Sequence, residues 1–395
     1  MPSFISRLLG AGAPPRAPAA EVKASRADAL IAMQSLGQPR WTPRNNVALT
    51  RAGYERNAIV YRAVRMIAEA AATVPWLAFE EMAENPSHPA LALIQRPAPQ
   101  MSGSDLLERV YTSLLLFGDA YVEAVSLDGA PRELHALRAD RMSVAPSANG
   151  WPAAYDYNVG GERVRFAAVR EGLSPILHLR LANPLDDHYG FAPLAAAQSA
   201  IDIHNAASAW NKALLDNAAR PSGALVFAGG GHLAQEQFDR LKAELEESFQ
   251  GARNAGRPLL LEGGLDWKAL SMTPKDMDFI QAKTIAAREI ALALGVPPLV
   301  LGLPGDNTFA NYQEANRVFW RQTVIPLVAR TQASFANWLS SAFGAFRFDY
   351  NADRLDALAL DRESEWRRVG AAEFLTRDEK REAVGYAAQN DASAT

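Results

Sequence analysis

The residues best equipped for chemistry lie in two short acidic runs. Asp186, Asp187 and His188 are consecutive, and Asp349, Asn351 and Asp353 alternate. The first run has the groups of an acid/base or metal site. Three neighbours on one loop point in different directions, however, so an ordinary turn between a strand and a long helix is expected. The second run copies the first half of a calcium loop, but Arg354 stands where such a loop needs glycine and Leu360 where it needs a bidentate glutamate. A strand end followed by a helix cap is expected instead. The histidines, His88, His135, His178, His188, His204 and His232, occur singly, and no H-E-x-x-H, G-x-x-x-x-G-K-[ST] or G-x-S-x-G pattern is present. No catalytic, cofactor or metal site is assigned, and the chain is not expected to be an enzyme or to hydrolyse ATP.

These runs sit in a chain of 395 residues, 49% hydrophobic and 21% charged, a globular composition long enough for two or three packed units. There is no cysteine, which excludes disulfides, thiolate nucleophiles and cysteine-bound zinc and fits assembly in a reducing cytoplasm. The balance of 40 basic against 44 acidic residues, net −4, lacks the basic excess of a protein that grips phosphate backbones for affinity. The longest apolar stretches, such as Ile290 to Gly305, are cut by glycine and proline and fall short of the ~20 residues a membrane span needs, so no membrane partner is expected. The opening MPSFISRLLGAGAPPRAPAAEVKAS lacks the basic start and continuous apolar run of a signal peptide, and residues 1–43 are expected to form a flexible arm.

The elements that must position the acidic runs can be read from periodicity. Residues 57–74 place Ile59, Val60, Ala63, Val64, Ile67, Ala71 and Val74 at helical spacing, with Arg62, Arg65 and Glu69 opposite. More helix is expected between Leu91 and Leu116, with Ser104 as an N-cap. From Gly118 to Leu181 the period falls to two: Tyr155, Tyr157 and Val159 alternate with Asp156 and Asn158, and Gly160-Gly161 offers a hairpin turn. DAYVEAVSLDGAPRELHALR reads as another strand, turn and strand. Pro193 to Arg220 suits one long helix of roughly 40 Å. A compact insert follows, with a strand around Leu225–Phe227, a triple-glycine break, a helix carrying Phe238, Leu241, Leu245 and Phe249, and a hairpin through Gly263-Gly264. Thr273, Pro274 and Asp276 then start a helix of about 30 Å that runs to Gly295.

The segment GVPPLVLGLPGDNTFANY, residues 295–312, interrupts that helical course with three prolines and three glycines. Asn311 with Glu314 three residues later resembles a capping box, launching a helix from Tyr312 to about Ser341 that Pro326 should kink. The break reverses the chain and presents a loop away from the helical bodies. Tyr61, Trp76, Trp210, Trp267, Trp320 and Trp338 fall in apolar periodic runs, so core or subunit-interface packing is expected of them rather than base stacking.

Several stretches, in order, are similar to the portal proteins of tailed bacteriophages, in the long-tailed-phage branch that includes gene transfer agents. They are the run from Asn57 to Pro75, HPALALIQRPAPQMSGSDLLE, LLLFGDAYVE, LHALRADRMSV, DNAARPSGAL, RPLLLEGGLDWKAL, EIALALGVPPLVLG, TFANYQEANRVFW and LTRDEKREAVG. The resemblance spans roughly residues 44–385. Asp378 stands where the family is associated with asparagine, and Phe191-Ala192 where Leu-Ser is expected.

The resemblance implies an α+β portal fold: an α/β wing at 44–192, stem helices at 193–220 and 273–301, a small α/β clip at 221–272, a kinked long helix with wing completion at 312–361, and a helical crown from 362. It implies a dodecameric ring at one vertex of a virion, assembled in the bacterial host cytoplasm, through which double-stranded DNA is packaged and ejected. Implied partners are the terminase large subunit, the head–tail connector or adaptor and the major capsid protein. Gly302, Leu303, Pro304, Gly305, Asp306, Asn307, Thr308, Phe309, Ala310 and Asn311 would form the tunnel loop lining the channel. Gly229, Gly230, Gly231 and His232 would serve clip docking. No lysine or arginine lies between Arg288 and Arg317, so the loop offers DNA transient contact rather than a phosphate clamp, as sliding requires. The chain length and alanine content suit a gene transfer agent. Two readings from other classes are a soluble enzyme with a pocket in the β-rich region, which should have left a catalytic motif, and a peripheral DNA-binding protein, which the acidic balance disfavours.

Overall fold

The computed structural model describes residues 41–81, 83–168, 171–216, 223–227, 236, 239–240, 265–269, 279–305 and 308–386. Its centre is α2 (Ala58–Thr73), which follows the short α1 (Asn46–Ala52). The Asn57 side chain caps α2 by accepting from the amides of Ile59 and Val60. Val60, Ala63, Val64, Ile67, Ala68 and Ala71 are buried along one stripe, as the spacing predicts. Against it pack α4 (Gly103–Phe117), which follows α3 (Pro89–Gln95), and the later helices α7 (Phe279–Ala293) and α9 (Ile325–Phe343).

Three small sheets surround this core. In the first, β1 (Trp76–Glu80) lies between β2 (Ala83–Glu84) and the distant β11 (Arg347–Tyr350), antiparallel to both, with Trp76 opposite Tyr350. The buried Trp76 ring sits 5.1 Å from that of Phe348 and 5.7 Å from that of Phe335 on α9, so the core closes over this pairing. In the second, β3 (Asp119–Leu127) is central, with β4 (Ala130–Leu137) on one side and β8 (Ile176–Arg180) on the other. The third orders β5 (Met142–Pro146), β6 (Pro152–Val159) and β7 (Glu162–Ala167). The two expected hairpins are present, turning at Asp128-Gly129 and at Gly160-Gly161 with positive φ at all four residues. A satellite cluster of Tyr121, Met142, Tyr155 and Ile176 joins the second and third sheets. β9 (Gly223–Phe227) pairs antiparallel with β10 (Leu265–Ala269). The triple glycine, the hairpin at Gly263-Gly264, the run from Leu241 to Phe249 and the helix start at Thr273 lie outside the described residues.

Three expected boundaries are corrected. The cap of α4 is Ser102, not Ser104: its hydroxyl accepts from the Asp105 amide while the Asp105 carboxylate accepts from the Ser102 amide, a reciprocal pair that Ser104 cannot form. The Pro193–Arg220 helix is two, α5 (Pro193–Ala196) and α6 (Gln198–Asp216), divided at Ala197, where the chain turns to seat Leu194 fully in the core. The helix after the loop starts three residues early, as α8 (Phe309–Phe319), because Thr308 rather than Asn311 caps it by accepting from the Asn311 amide. Its irregularity is a π turn at Trp320–Val324 placed just ahead of Pro326. Proline has no N–H to give and its ring crowds the carbonyl four residues back; the widened turn lets Ile325 bond Trp320 instead. Beyond β11 the chain ends in α10 (Ala359–Gly370) and α11 (Arg377–Ala383). Among the described residues no helix is long and apolar enough to cross a membrane.

Candidate functional site

The loop between α7 and α8 is held at its root. α7 ends at Ala293 and the chain turns at Gly295, whose φ of +71° favours glycine, while the Val296 amide reaches back to the Ala291 carbonyl. The Thr323 hydroxyl, in the π turn, donates to the Gly295 carbonyl at 2.5 Å. A side chain on Gly295 would place its Cβ 2.9 Å from that hydroxyl oxygen. Val300 and Leu301 pack against the main core, while Gly302 and Leu303 bond back to Leu299 and Pro298 at 3.0 Å.

From Gly302 the chain leaves the body. Arg288, exposed on α7, donates to the Pro304 carbonyl and lies against Gly305. On the far side, Phe309 is 77% exposed and Tyr312 47%, so the first turn of α8 shows aromatic rings to solvent. Arg317 donates to Glu314 and Asp361 at 2.7 Å, which holds the guanidinium protonated and neutralises it.

Of the residues assigned to the loop from sequence, Gly302, Leu303, Pro304, Gly305 and Thr308 are extended or turning, and Phe309, Ala310 and Asn311 form the start of α8. Asp306 and Asn307 lie outside the described residues, as do Gly229, Gly230, Gly231 and His232. Sequence reasoning missed Arg288 and Thr323. Neither belongs to the loop, and only their side-chain length and placement one helix away give them a part in it.

The acidic runs are accounted for locally. The Asp186 carboxylate accepts from the amides of His188 and Tyr189, at 2.8 and 3.0 Å, which lowers its pKa and makes the stretch a turn. Asp349 pairs with Arg347, Asn351 caps a short 3₁₀ turn, and Asp353 pairs with Arg362 at 2.6 Å, so this run is the expected strand end and cap. A buried polar cluster lies elsewhere. Asp119, at the start of β3, accepts from His178 Nε2 at 2.8 Å and from the Gly190 amide at 2.9 Å, and the Tyr121 ring stacks on His178 at 4.2 Å. Burial lowers the His178 pKa, outweighing the hydrogen bond and charge of Asp119. The cluster fastens the chain leaving β8 to the start of β3 at a point where Gly118 and Gly190 meet backbone to backbone.

A family model described as phage portal protein matches residues 58–385. A protein of Rickettsia bellii, described as uncharacterized, is 43% identical over 84% of this chain and 87% of its own length. Among solved structures, a chain from the neck of an empty gene transfer agent particle, computed with C6 symmetry, is 50% identical with a TM-score of 0.71, covering 89% of this chain and 96% of that one. A chain from the neck of the native particle, computed with C12 symmetry, matches at the same identity and coverage with a TM-score of 0.68.

Proposed function

The chain belongs to the phage portal protein family, and from that membership we propose that twelve copies close into a ring at one vertex of a phage or gene-transfer-agent head. Double-stranded DNA passes through the ring's channel during packaging and ejection. The observation that carries the channel reading is the loop segment Gly302–Gly305 with the start of α8 at Thr308–Tyr312. Its root is pinned by Thr323, its α8 side carries exposed Phe309 and Tyr312, the downstream cation Arg317 is already paired, and among the described residues a single cation per protomer, Arg288, lies against it at Pro304. Such a surface touches DNA without releasing many counterions, so the duplex can slide.

In this reading residues 44–192 form the wing, completed by β11, and its pairing with β1 supports that grouping. α6 and α7, which pack on each other, belong to the stem at 193–220 and 273–301. Residues 221–272 form the clip, which docks the terminase large subunit during filling and the head–tail connector afterwards, with Gly229, Gly230, Gly231 and His232 on the docking side. The wing faces the major capsid protein, and residues from 362 form the crown. The protein acts as a structural conduit rather than a catalyst, assembled in the host cytoplasm and carried in the virion.

Native mass spectrometry of the purified protein, paired with negative-stain images, tests the reading. A closed ring of about twelve subunits with a central hole is expected. A defined dimer or tetramer without a hole would overturn it.

A further inference from the structure

A run of side-chain hydrogen bonds joins the start of α2 to α6, and backbone groups fix the polarity of both its ends. At one end the Asn57 side-chain oxygen accepts from the amides of Ile59 and Val60, at 3.1 and 3.3 Å, so that atom is Oδ1 and its neighbour is the NH2 group. At the other end Asn205, on α6, donates through Nδ2 to the Ala52 carbonyl at 2.8 Å, which leaves its Oδ1 to accept. The Asn57 NH2 group gives one hydrogen to that Oδ1, at 2.9 Å, and the other to His204 Nδ1, at 3.1 Å.

An amide NH2 group only donates, so His204 Nδ1 presents a lone pair and the neutral ring carries its proton on Nε2. Asn57 is 2% exposed and His204 9%, so each depends on the other for this bond rather than on water. A second proton on the ring would set an N–H on Nδ1 against the N–H of Asn57. Rotating the Asn57 amide does not relieve the conflict. It would turn the NH2 group onto the Ile59 and Val60 amides, uncapping α2, and set the oxygen against Asn205 Oδ1. The network has one bonded state, and that state requires a neutral ring.

The charges around the ring act in the same sense. α6 packs against α1, α5 and α7. α1 carries Arg51, α5 no charge, and α7 Lys283, Arg288 and Glu289, while α2 adds Arg62 and the paired Arg65 and Glu69. Burial first, and then the charge of Lys283, lower the pKa of His204. On α6 itself Lys212 lies two turns further on, and Asp202 is engaged by the amide and hydroxyl of Thr42.

We propose that His204 is a proton-operated latch: neutral, it fastens α6 to the α1–α2 junction, and protonated, it lets α6 part from Asn57. The inference goes beyond the ring reading and holds whether or not the chain closes into a ring. The latch is closed above the ordinary histidine value of 6.5 and opens as pH falls through the lower folded value. In acid, α6 and the first turn of α2 loosen together while the rest of α2 keeps its packing.

Hydrogen exchange of the full chain, followed from about pH 7.5 to about pH 5 and corrected for the intrinsic rate, tests the latch. Protection at 198–208 and 58–62 is expected to fall several-fold more than protection at 63–71. His204→Asn keeps an acceptor where Nδ1 stands and takes up no proton, so in that variant the three segments should change alike. Asn57→Asp keeps the cap of α2 and sets a carboxylate against Nδ1, so there protection at 198–208 should rise as pH falls. Equal acid sensitivity at 198–208 in the parent chain and His204→Asn overturns the latch. A loss spread evenly over α2 and α6 in the parent overturns it as well. Should His204→Asn fail to fold, Asn57→Asp decides, and protection at 198–208 that falls with acid in that variant overturns the proposal.

Discussion

The Thr323 hydroxyl donates to the Gly295 carbonyl, 28 residues earlier, at 2.5 Å. This one bond joins the turn that follows α7 to the widened turn inside the α8–α9 helix, so the loop between them has a root fixed on both sides. The loop's position is therefore set by the helical body rather than by the loop's own composition.

Replacing Gly295 by alanine should cost about 1–2 kcal/mol for the left-handed backbone alone. It should cost more because the new Cβ meets the Thr323 oxygen at 2.9 Å. Thr323→Val, which keeps the shape and loses the donor, should cost no more than about 1 kcal/mol. Denaturant unfolding of the purified variants checks the order; an equal or larger loss in Thr323→Val would show that the root is not organised around Gly295.

A side chain on Gly190 would place its Cβ 2.0 Å from the Gly118 carbonyl oxygen, a backbone atom that also accepts from Leu181. Gly190→Ala should therefore lose about 3 kcal/mol or more, or fail to fold. Soluble yield and unfolding midpoint read this directly, and a loss under about 1 kcal/mol would contradict the close approach.

Acid should weaken the protein through His178. Its folded pKa lies below the ordinary value of 6.5 because burial disfavours the charged ring. Below pH 6.5 the unfolded chain takes up a proton that the folded chain resists, so the stability present above that pH is lost as pH falls toward the folded pKa. The slope from this group is at most about 1.4 kcal/mol per pH unit. His204, also lowered by burial, adds in the same direction. His178→Gln keeps a donor for Asp119 and removes the titration, so its unfolding free energy between pH 5 and 7 should fall less steeply than that of the parent chain.

Arg288→Gln should release the loop at Pro304 without unfolding the body, which hydrogen exchange reads as faster exchange at Leu301–Gly305 with the core of α2 unchanged. Deleting Gly302–Asn307 should leave particles that assemble but package or retain DNA poorly. Particles that fill and hold DNA normally would remove the loop from the channel reading.

Much of the stretch from α2 to β8 is legible in the sequence because its signals are local. The stripe on α2 and the Asp128-Gly129 and Gly160-Gly161 turns need nothing beyond their own residues. Helix starts mislead where two candidates stand close together. Ser102 and Ser104 are both plausible caps, and only the reach of Asp105 decides between them. Asn311 and Glu314 imitate a capping box, yet the Asn311 amide is itself the group that Thr308 caps. Pro326 marks an irregular helix but does not say that the extra residue is absorbed one turn earlier. Contacts made across the chain leave no local trace. The bonds from Arg288 to Pro304 and from Thr323 to Gly295 depend on how helices pack, and so does the Asp119–His178 pair.

The pairing of β1 with β11 also sets a timetable. Trp76 and Tyr350 are opposite each other, roughly 270 residues apart in the chain. At about 5–20 residues per second a ribosome takes on the order of 10–60 s to make that interval. Throughout that time β1 has an open edge where β11 will pair, and the core face that Phe335 and Phe348 will cover stands exposed. Until synthesis nears its end, that edge of β1 has no partner strand on its own chain. Only then can a protomer offer a finished surface to another.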